Sequence, residues 1–146
     1  MLVCLNCNEL YDKLKVEFDH HKDWNWCPKL NCGSKIIEVD ELFVPIIIEL
    51  NKKNYLTEFC CSGHIHEGHC GCIESYISFN VVYSDIYIDI FEKNLPVNYE
   101  LETNENSMIT IRRRFDYNKT INELLKDICD NAINVTNWAE ALPCLQ

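Results

Sequence analysis

Apolar positions follow two different periods along this chain. Leu42, Phe43, Ile46, Ile47 and Leu50 recur as one face of a helix, because side chains three and four residues apart stack on the same side. Asp40 is an N-cap residue type, Pro45 belongs in a first turn, and Asn51 and Asn54 supply the closing punctuation, since asparagine tolerates the left-handed conformation. The period then drops to two. Tyr55 to Cys60 reads as a short strand, and Ile73 to Val82 as a longer one with Ile77, Phe79 and Val81 on one face and Tyr76, Ser78 and Asn80 on the other. Ile86, Ile88 and Ile90 repeat the alternation after a turn at Ser84 and Asp85, which predicts a further strand. Pro96 interrupts the run, and Val97 to Thr103 with Met108 to Phe115 predict a hairpin joined by the polar Asn104 to Ser107.

The helical period returns at the end. Thr120, with Glu123 three residues later, spells a capping box. Ile121, Leu124, Leu125, Ile128, Ala132 and Ile133 form a stripe that should lie on the sheet. Asn134 to Asn137 is expected to kink or end that helix, with Trp138, Ala139 and Leu142 packing as a last turn before Pro143. The expected fold is α+β: a mostly antiparallel sheet packed with two helices over residues 39–146, behind a zinc ribbon at residues 1–38.

Length and charge narrow the classes of function. The 146 residues suit one core plus a small module, and 47% apolar content is that of a globular protein. The longest apolar run, Phe43 to Ile48, is too short to cross a bilayer. Met1 to Leu10 lacks the basic and apolar regions of a secretory signal, so a cytoplasmic protein is expected. A formal charge of −10 argues against nucleic acid over the general surface, because such binding rests on cationic neutralisation of phosphates. The arginines are confined to Arg112, Arg113 and Arg114.

Ten cysteines in a chain of this type point to metal before disulfides. Cys4 and Cys7 form one knuckle, and Cys27 and Cys32, followed by Gly33, form a second. Four thiolates in two short loops can close a tetrahedral zinc site. Without metal, residues 1–35 have little else to fold around beyond a small cap of Leu10, Val16, Phe18, Trp24 and Trp26. His20 and His21 between the knuckles read as solvent-exposed.

A denser cluster runs from Phe59 to Cys72 and reads F-C-C-S-G-H-I-H-E-G-H-C-G-C. Several chemistries are open to it. Cys61, His66, His69, Cys70 and Cys72 could hold a second zinc through mixed sulfur and nitrogen ligands. Cys61 could be a nucleophile activated by His64, although no third orienting group is evident. Ser62, Gly63 and His64 could form a turn that binds a phosphorylated or nucleotide-like ligand, with Arg112 and Arg114 on one strand face as a clamp. The bland alternative makes Cys60 core, the loop a solvated insertion, and the arginines counter-charges to an acidic surface.

The segment C-P-K-L-N-C-G, with the stretch from Ile36 to His64 that ends T-E-F-C-C-S-G-H, resembles a group of small uncharacterised proteins of Firmicutes and their phages that carry a zinc ribbon before such a turn. That resemblance implies an anti-defence role in a bacterial host cell, while the low basic charge and the missing cofactor turn favour a non-enzymatic binding protein that recognises a small phosphorylated ligand or a host defence protein. A shorter likeness, Tyr55-x-Thr57 with Cys61-Ser62-Gly63-x-Ile65, resembles the signature of the wybutosine tRNA methyltransferase family, where His64 replaces an arginine. It implies an enzyme that modifies RNA or nucleotides, with Thr57, Ser62 and His64 lining its pocket. No G-x-G-x-x-G cofactor turn accompanies it. A zinc-dependent protein-interaction module with an acidic surface is the third class.

Overall fold

A computed structural model describes residues 1–11, 26–65, 73–80, 84–103 and 108–145. Val16, Phe18, His20, His21 and Trp24, the expected second-metal residues His66, His69, Cys70 and Cys72, Val81 and Val82, and the 104–107 connection lie outside the described residues. The fold is α+β. A three-stranded antiparallel sheet of β1 (Leu2–Cys4), β2 (Leu10–Tyr11) and β3 (Ile36–Glu38) has the order β2-β1-β3. A four-stranded antiparallel sheet follows, made of β4 (Thr57–Cys61), β5 (Ile73–Phe79), β6 (Glu100–Thr103) and β7 (Ile109–Phe115) in the order β4-β5-β7-β6. Three α-helices accompany it among the described residues: α1 (Val44–Lys52), α2 (Ser84–Phe91) and α3 (Ile121–Ala141).

The helix at Val44 is entered through a single 3₁₀ turn, Glu41–Phe43, with Pro45 in its first turn, where a missing N–H costs nothing. Val44, Ile46, Ile47 and Leu50 are buried, whereas Leu42, expected on the same face, is exposed. Asn54 closes the helix in the left-handed region at φ 68°. The amide N–H of Tyr55 returns to the Leu50 carbonyl at 2.9 Å, so Tyr55 enters the core ahead of the strand, which begins at Thr57.

The alternation at Ile86, Ile88 and Ile90 belongs to a helix, not to the predicted strand. Tyr87 and Phe91, four residues apart, are fully buried and stack with Tyr55, with ring centroids 5.6 and 5.9 Å away. Aromatic burial of this kind outweighs the β-preference of the isoleucines, and Ile86 points outward. The following strand is also shorter than predicted. Pro96 to Tyr99 forms a turn with Asn98 at φ 65°, so β6 starts at Glu100.

The capping box at Thr120 and Glu123 is present in both directions. Hydrogen bonds from the Thr120 hydroxyl and backbone N–H hold the Glu123 carboxyl below its ordinary range. That support is present at neutral pH and is lost as the pH falls through the lowered value. The helix then runs without a break to Ala141, through the asparagines expected to end it. Its buried face is Leu124, Ile128, Asn131, Ala132, Val135, Trp138 and Ala139, while Ile121, Leu125 and Ile133 are exposed. Lys53 closes its far end: Nζ donates to the carbonyls of Ala139 and Leu142, both at 2.9 Å, and to that of Glu140. Three orphan carbonyls thereby share one ammonium. Lys53→Met is expected to cost about 1.5–3 kcal/mol in denaturant unfolding, the range for a hydrogen bond to a charged group.

One core spans both sheets. Val3 and Val39 pack in the same cluster as Phe43, Ile77, Phe79, Phe91 and Trp138. The ribbon keeps a small cluster of its own, Leu2, Cys4, Cys27 and Ile36, and Leu10 and Trp26 are exposed instead of capping it. No helix among the described residues is long and apolar enough to cross a membrane.

Candidate metal centre and adjoining cavity

The first knuckle grows directly out of β1. Cys4 ends the strand, and the chain turns back so that the Asn8 amide donates to the Cys4 carbonyl at 2.9 Å, with Asn8 at φ 56°. In the second knuckle the Cys32 amide donates to the Lys29 carbonyl at 3.0 Å, and Asn31 and Gly33 take φ values of 65° and 58°. Asparagine and glycine are the residue types that accept this conformation. Pairing of β1 with β3 brings the two turns together.

Cys4 Sγ lies 3.6 Å from Cys32 Sγ, and Cys7 Sγ lies 3.7 Å from Cys27 Sγ. All four sulfurs fall within 4.8 Å of one another. A tetrahedral ion with metal–sulfur bonds of about 2.3 Å separates its sulfurs by about 3.8 Å. The tetrad therefore has the spacing of a metal site, and all four cysteines are thiols rather than disulfides. Burial pushes the Cys4 thiol up to about 12, whereas the Asn6 carboxamide, 3.5 Å from Cys32 Sγ, and then the Ser34 backbone hold Cys32 at about 6. The Tyr11 hydroxyl sits 3.1 Å from Cys27 Sγ, and its own ionisation is pushed up, by burial first and by that sulfur second. A cation among the sulfurs offsets the cost of charging a buried thiol, and the surrounding N–H and O–H groups orient it from outside.

A second constellation forms where β4 ends. Ser62 donates to Asp40 Oδ2 from its backbone N–H at 2.7 Å and from its hydroxyl at 3.2 Å. His64 Nε2 lies 3.0 Å from Asp40 Oδ1, and the Gly63 N–H donates to Cys61 Sγ at 3.4 Å. Asp40 makes no side-chain cap to the helix it precedes, and its carboxylate organises the Cys61–His64 turn instead. Ligand atoms of Asp40, Cys61 and His64 lie within 4.8 Å of one another. Asp40 is thus the orienting group beside Cys61 and His64 that the sequence left unnamed. Cys60, one residue back, packs against the main core, and burial pushes its thiol up to about 12.

Gly63 makes the turn possible. Its φ is 104°, and a Cβ there would stand 3.1 Å from Phe115 Cε2 and 3.5 Å from both Ile128 and Ile73. Gly63→Ala is expected to destabilise the protein by about 1–3 kcal/mol in denaturant unfolding, the range for a residue forced into such a conformation.

Beside the turn opens a cavity of about 480 Å³, lined by Glu38, Asp40, Leu42, His64, Leu125 and Ile128 among others. No lysine or arginine lines it among the described residues. Ser62 and Gly63 also border it, so three of the expected ligand-binding residues come together. Thr57 does not join them: it is buried and accepts from Asn51 Nδ2 at 3.0 Å, tying the strand to α1. Arg112 and Arg114 share one sheet face as expected, but carboxylates surround them. Arg112 pairs with Glu74 and, at 2.9 Å, Glu102, and lies over the Tyr76 ring at 5.4 Å. Arg114 reaches Glu74 and Glu102 at 3.1 Å each and Glu100 at 3.4 Å. Neither lines the cavity. The walls supplied by Glu38 from β3 and by Leu125 and Ile128 from α3 carried no sequence signal of a site, because only tertiary packing brings them to the turn.

Fold and site together define an α+β protein with a possible four-cysteine metal centre and a separate acidic cavity. No family model, curated protein or solved structure matches the chain.

Proposed function

We propose that the chain is a zinc-braced binding protein and that its ligand enters the cavity beside the Cys61–His64 turn. Four thiolates in tetrahedral spacing suit zinc, a borderline-soft ion without redox chemistry of its own, so the ribbon ion is structural. The observation that carries the binding reading is the Asp40 carboxylate, which fixes Ser62 and His64 at the mouth of a cavity with apolar walls. A few placed polar groups over an apolar surface are the general form of a ligand site.

Glu38, Asp40 and Glu41 all line the cavity, an acidic setting that favours an electropositive group there. A phosphorylated ligand is less suited to these walls, because Arg112 and Arg114 are held by Glu74, Glu100 and Glu102. The test is native mass spectrometry of the full chain after exposure to cell lysate, compared with Leu125→Trp, which fills the cavity from an exposed position. Retained mass on the wild type that Leu125→Trp loses and Arg114→Ala keeps supports this reading. Retention unchanged by Leu125→Trp, or lost from Arg114→Ala alone, contradicts it.

A further inference from the structure

We propose that Asp40, Cys61 and His64 bind a second transition-metal ion, of the zinc class, with a coordination position left open to the cavity. This deepens the reading of that cavity as a site for an electropositive group, and it rests on it. Carboxylate, thiolate and imidazole are all ligands that zinc accepts, and three protein ligands with one open position is the arrangement of reactive, rather than purely structural, zinc sites.

Four observations converge on the site. The three ligand atoms already lie within 4.8 Å of one another. For bonds of about 2.0–2.3 Å, a tetrahedral ion spaces such atoms about 3.3–3.6 Å apart, so only a small closure is needed. Cys61 and His64 are separated by two residues, the spacing of a metal knuckle, and the Gly63 N–H points at the sulfur at 3.4 Å, as it would to support a thiolate. The Asp40 carboxylate is held from behind by both donors of Ser62 on Oδ2, which leaves Oδ1 to His64. An ion entering here displaces the proton between Oδ1 and Nε2 and the Cys61 thiol proton, both of which pass to solvent. Finally, Asp40 and His64 line the cavity whereas Cys61 is not among its walls, so the ion's remaining position faces the open space. The ion itself is the electropositive group that the acidic walls favour, and a donor atom on an apolar ligand lying against Leu42, Leu125 and Ile128 completes its coordination.

The experiment adds cobalt(II), then zinc, to full-length protein that already holds one ion in the ribbon. The ion count is read by native mass spectrometry, and affinity by competition with a chromophoric chelator. The wild type is expected to take a second equivalent and to show a thiolate-to-cobalt charge-transfer band. Cys61→Ser should remove the band. His64→Ala, at a side chain 43% exposed and so a small risk to folding, should weaken the second ion by more than the roughly 10- to 100-fold that losing an outer-shell partner costs. Asp40→Ala should do the same while the ribbon ion stays bound. A second ion that survives Asp40→Ala and His64→Ala but is lost from Cys70→Ser or Cys72→Ser overturns the proposal, as does a chain that binds one ion only. Either result with ligand retention still blocked by Leu125→Trp leaves the cavity reading standing. A second ion bound at these residues with no ligand retained by any variant contradicts the cavity reading alone.

Discussion

Cys27→Ser is expected to lose the ribbon ion and to destabilise the whole chain, not the ribbon alone. The ribbon's own apolar cluster is Leu2, Cys4, Cys27 and Ile36, too little to order two knuckles without metal. Structural zinc in small modules supplies apparent binding free energy on the order of 10 kcal/mol, and that energy is folding energy. The effect spreads because β1 serves two masters. Cys4 belongs to the cysteine tetrad, while its neighbour Val3 is fully buried in the main core with Val39 and Phe43. When the knuckles loosen, β1 loses its anchor and Val3 its fixed place. Thermal unfolding should show the midpoint falling by about 10 °C or more, with metal content down by one ion per chain. A strong chelator should have the same effect on the wild type. An unchanged midpoint in Cys27→Ser would show that the metal centre does not brace the fold.

Asn131→Leu should be the most damaging single change away from the metal. Asn131 is fully buried in the middle of α3, and each of its side-chain atoms is used. Nδ2 donates to Ser75 Oγ at 3.1 Å and to the Tyr99 hydroxyl at 3.0 Å, while Oδ1 accepts from Arg113 at 2.9 Å. Tyr99 and Ser75 also bond to each other at 2.7 Å, and Ser75 donates to the Cys61 carbonyl at 3.2 Å. The network therefore runs from the last helix across the sheet to the base of the candidate site. Burial raises the Tyr99 phenol, and its hydrogen bonds with Ser75 and Asn131 oppose that shift. Leucine at 131 matches the volume but leaves a guanidinium without its acceptor and a buried hydroxyl short of a donor. The expected loss is about 1–3 kcal/mol for each buried group left without its partner, and more for the guanidinium. Denaturant unfolding measures it, and a loss below about 1 kcal/mol would mean that the network carries little of the stability.

What the sequence made legible was chemistry at fixed spacing. Cys4, Cys7, Cys27 and Cys32 announce their site because two short loops can hardly hold four thiols without converging. Thr120 and Glu123 announce a helix start because the reciprocal hydrogen bonds need no tertiary partner. Asp40 illustrates the opposite case. Its position before a helix invites a cap assignment, yet its oxygens turn to Ser62 and His64, more than twenty residues away in the chain. Only the approach of β4 to the β3–α1 junction decides between those uses. The Ile86–Tyr87–Ile88–Asp89–Ile90 run satisfies both periods locally, and the aromatic stack of Tyr55, Tyr87 and Phe91 selects the helix. In α3 the apolar stripe rotates: Ile121, Leu125 and Ile133 face outward while the polar Asn131 turns in, because a hydrogen-bonded asparagine can occupy the core. The Arg112 and Arg114 face was legible, but its partners were not. Glu74, Glu100 and Glu102 reach it only through the strand register.

The most direct measurement is zinc-edge X-ray absorption fine structure on full-length protein loaded with one equivalent of zinc. The tighter, four-thiolate site should fill first, giving a single shell of four sulfurs at about 2.3 Å. A first shell dominated by nitrogen or oxygen at about 2.0 Å would contradict the account, because it would place the bracing ion somewhere other than between the two knuckles.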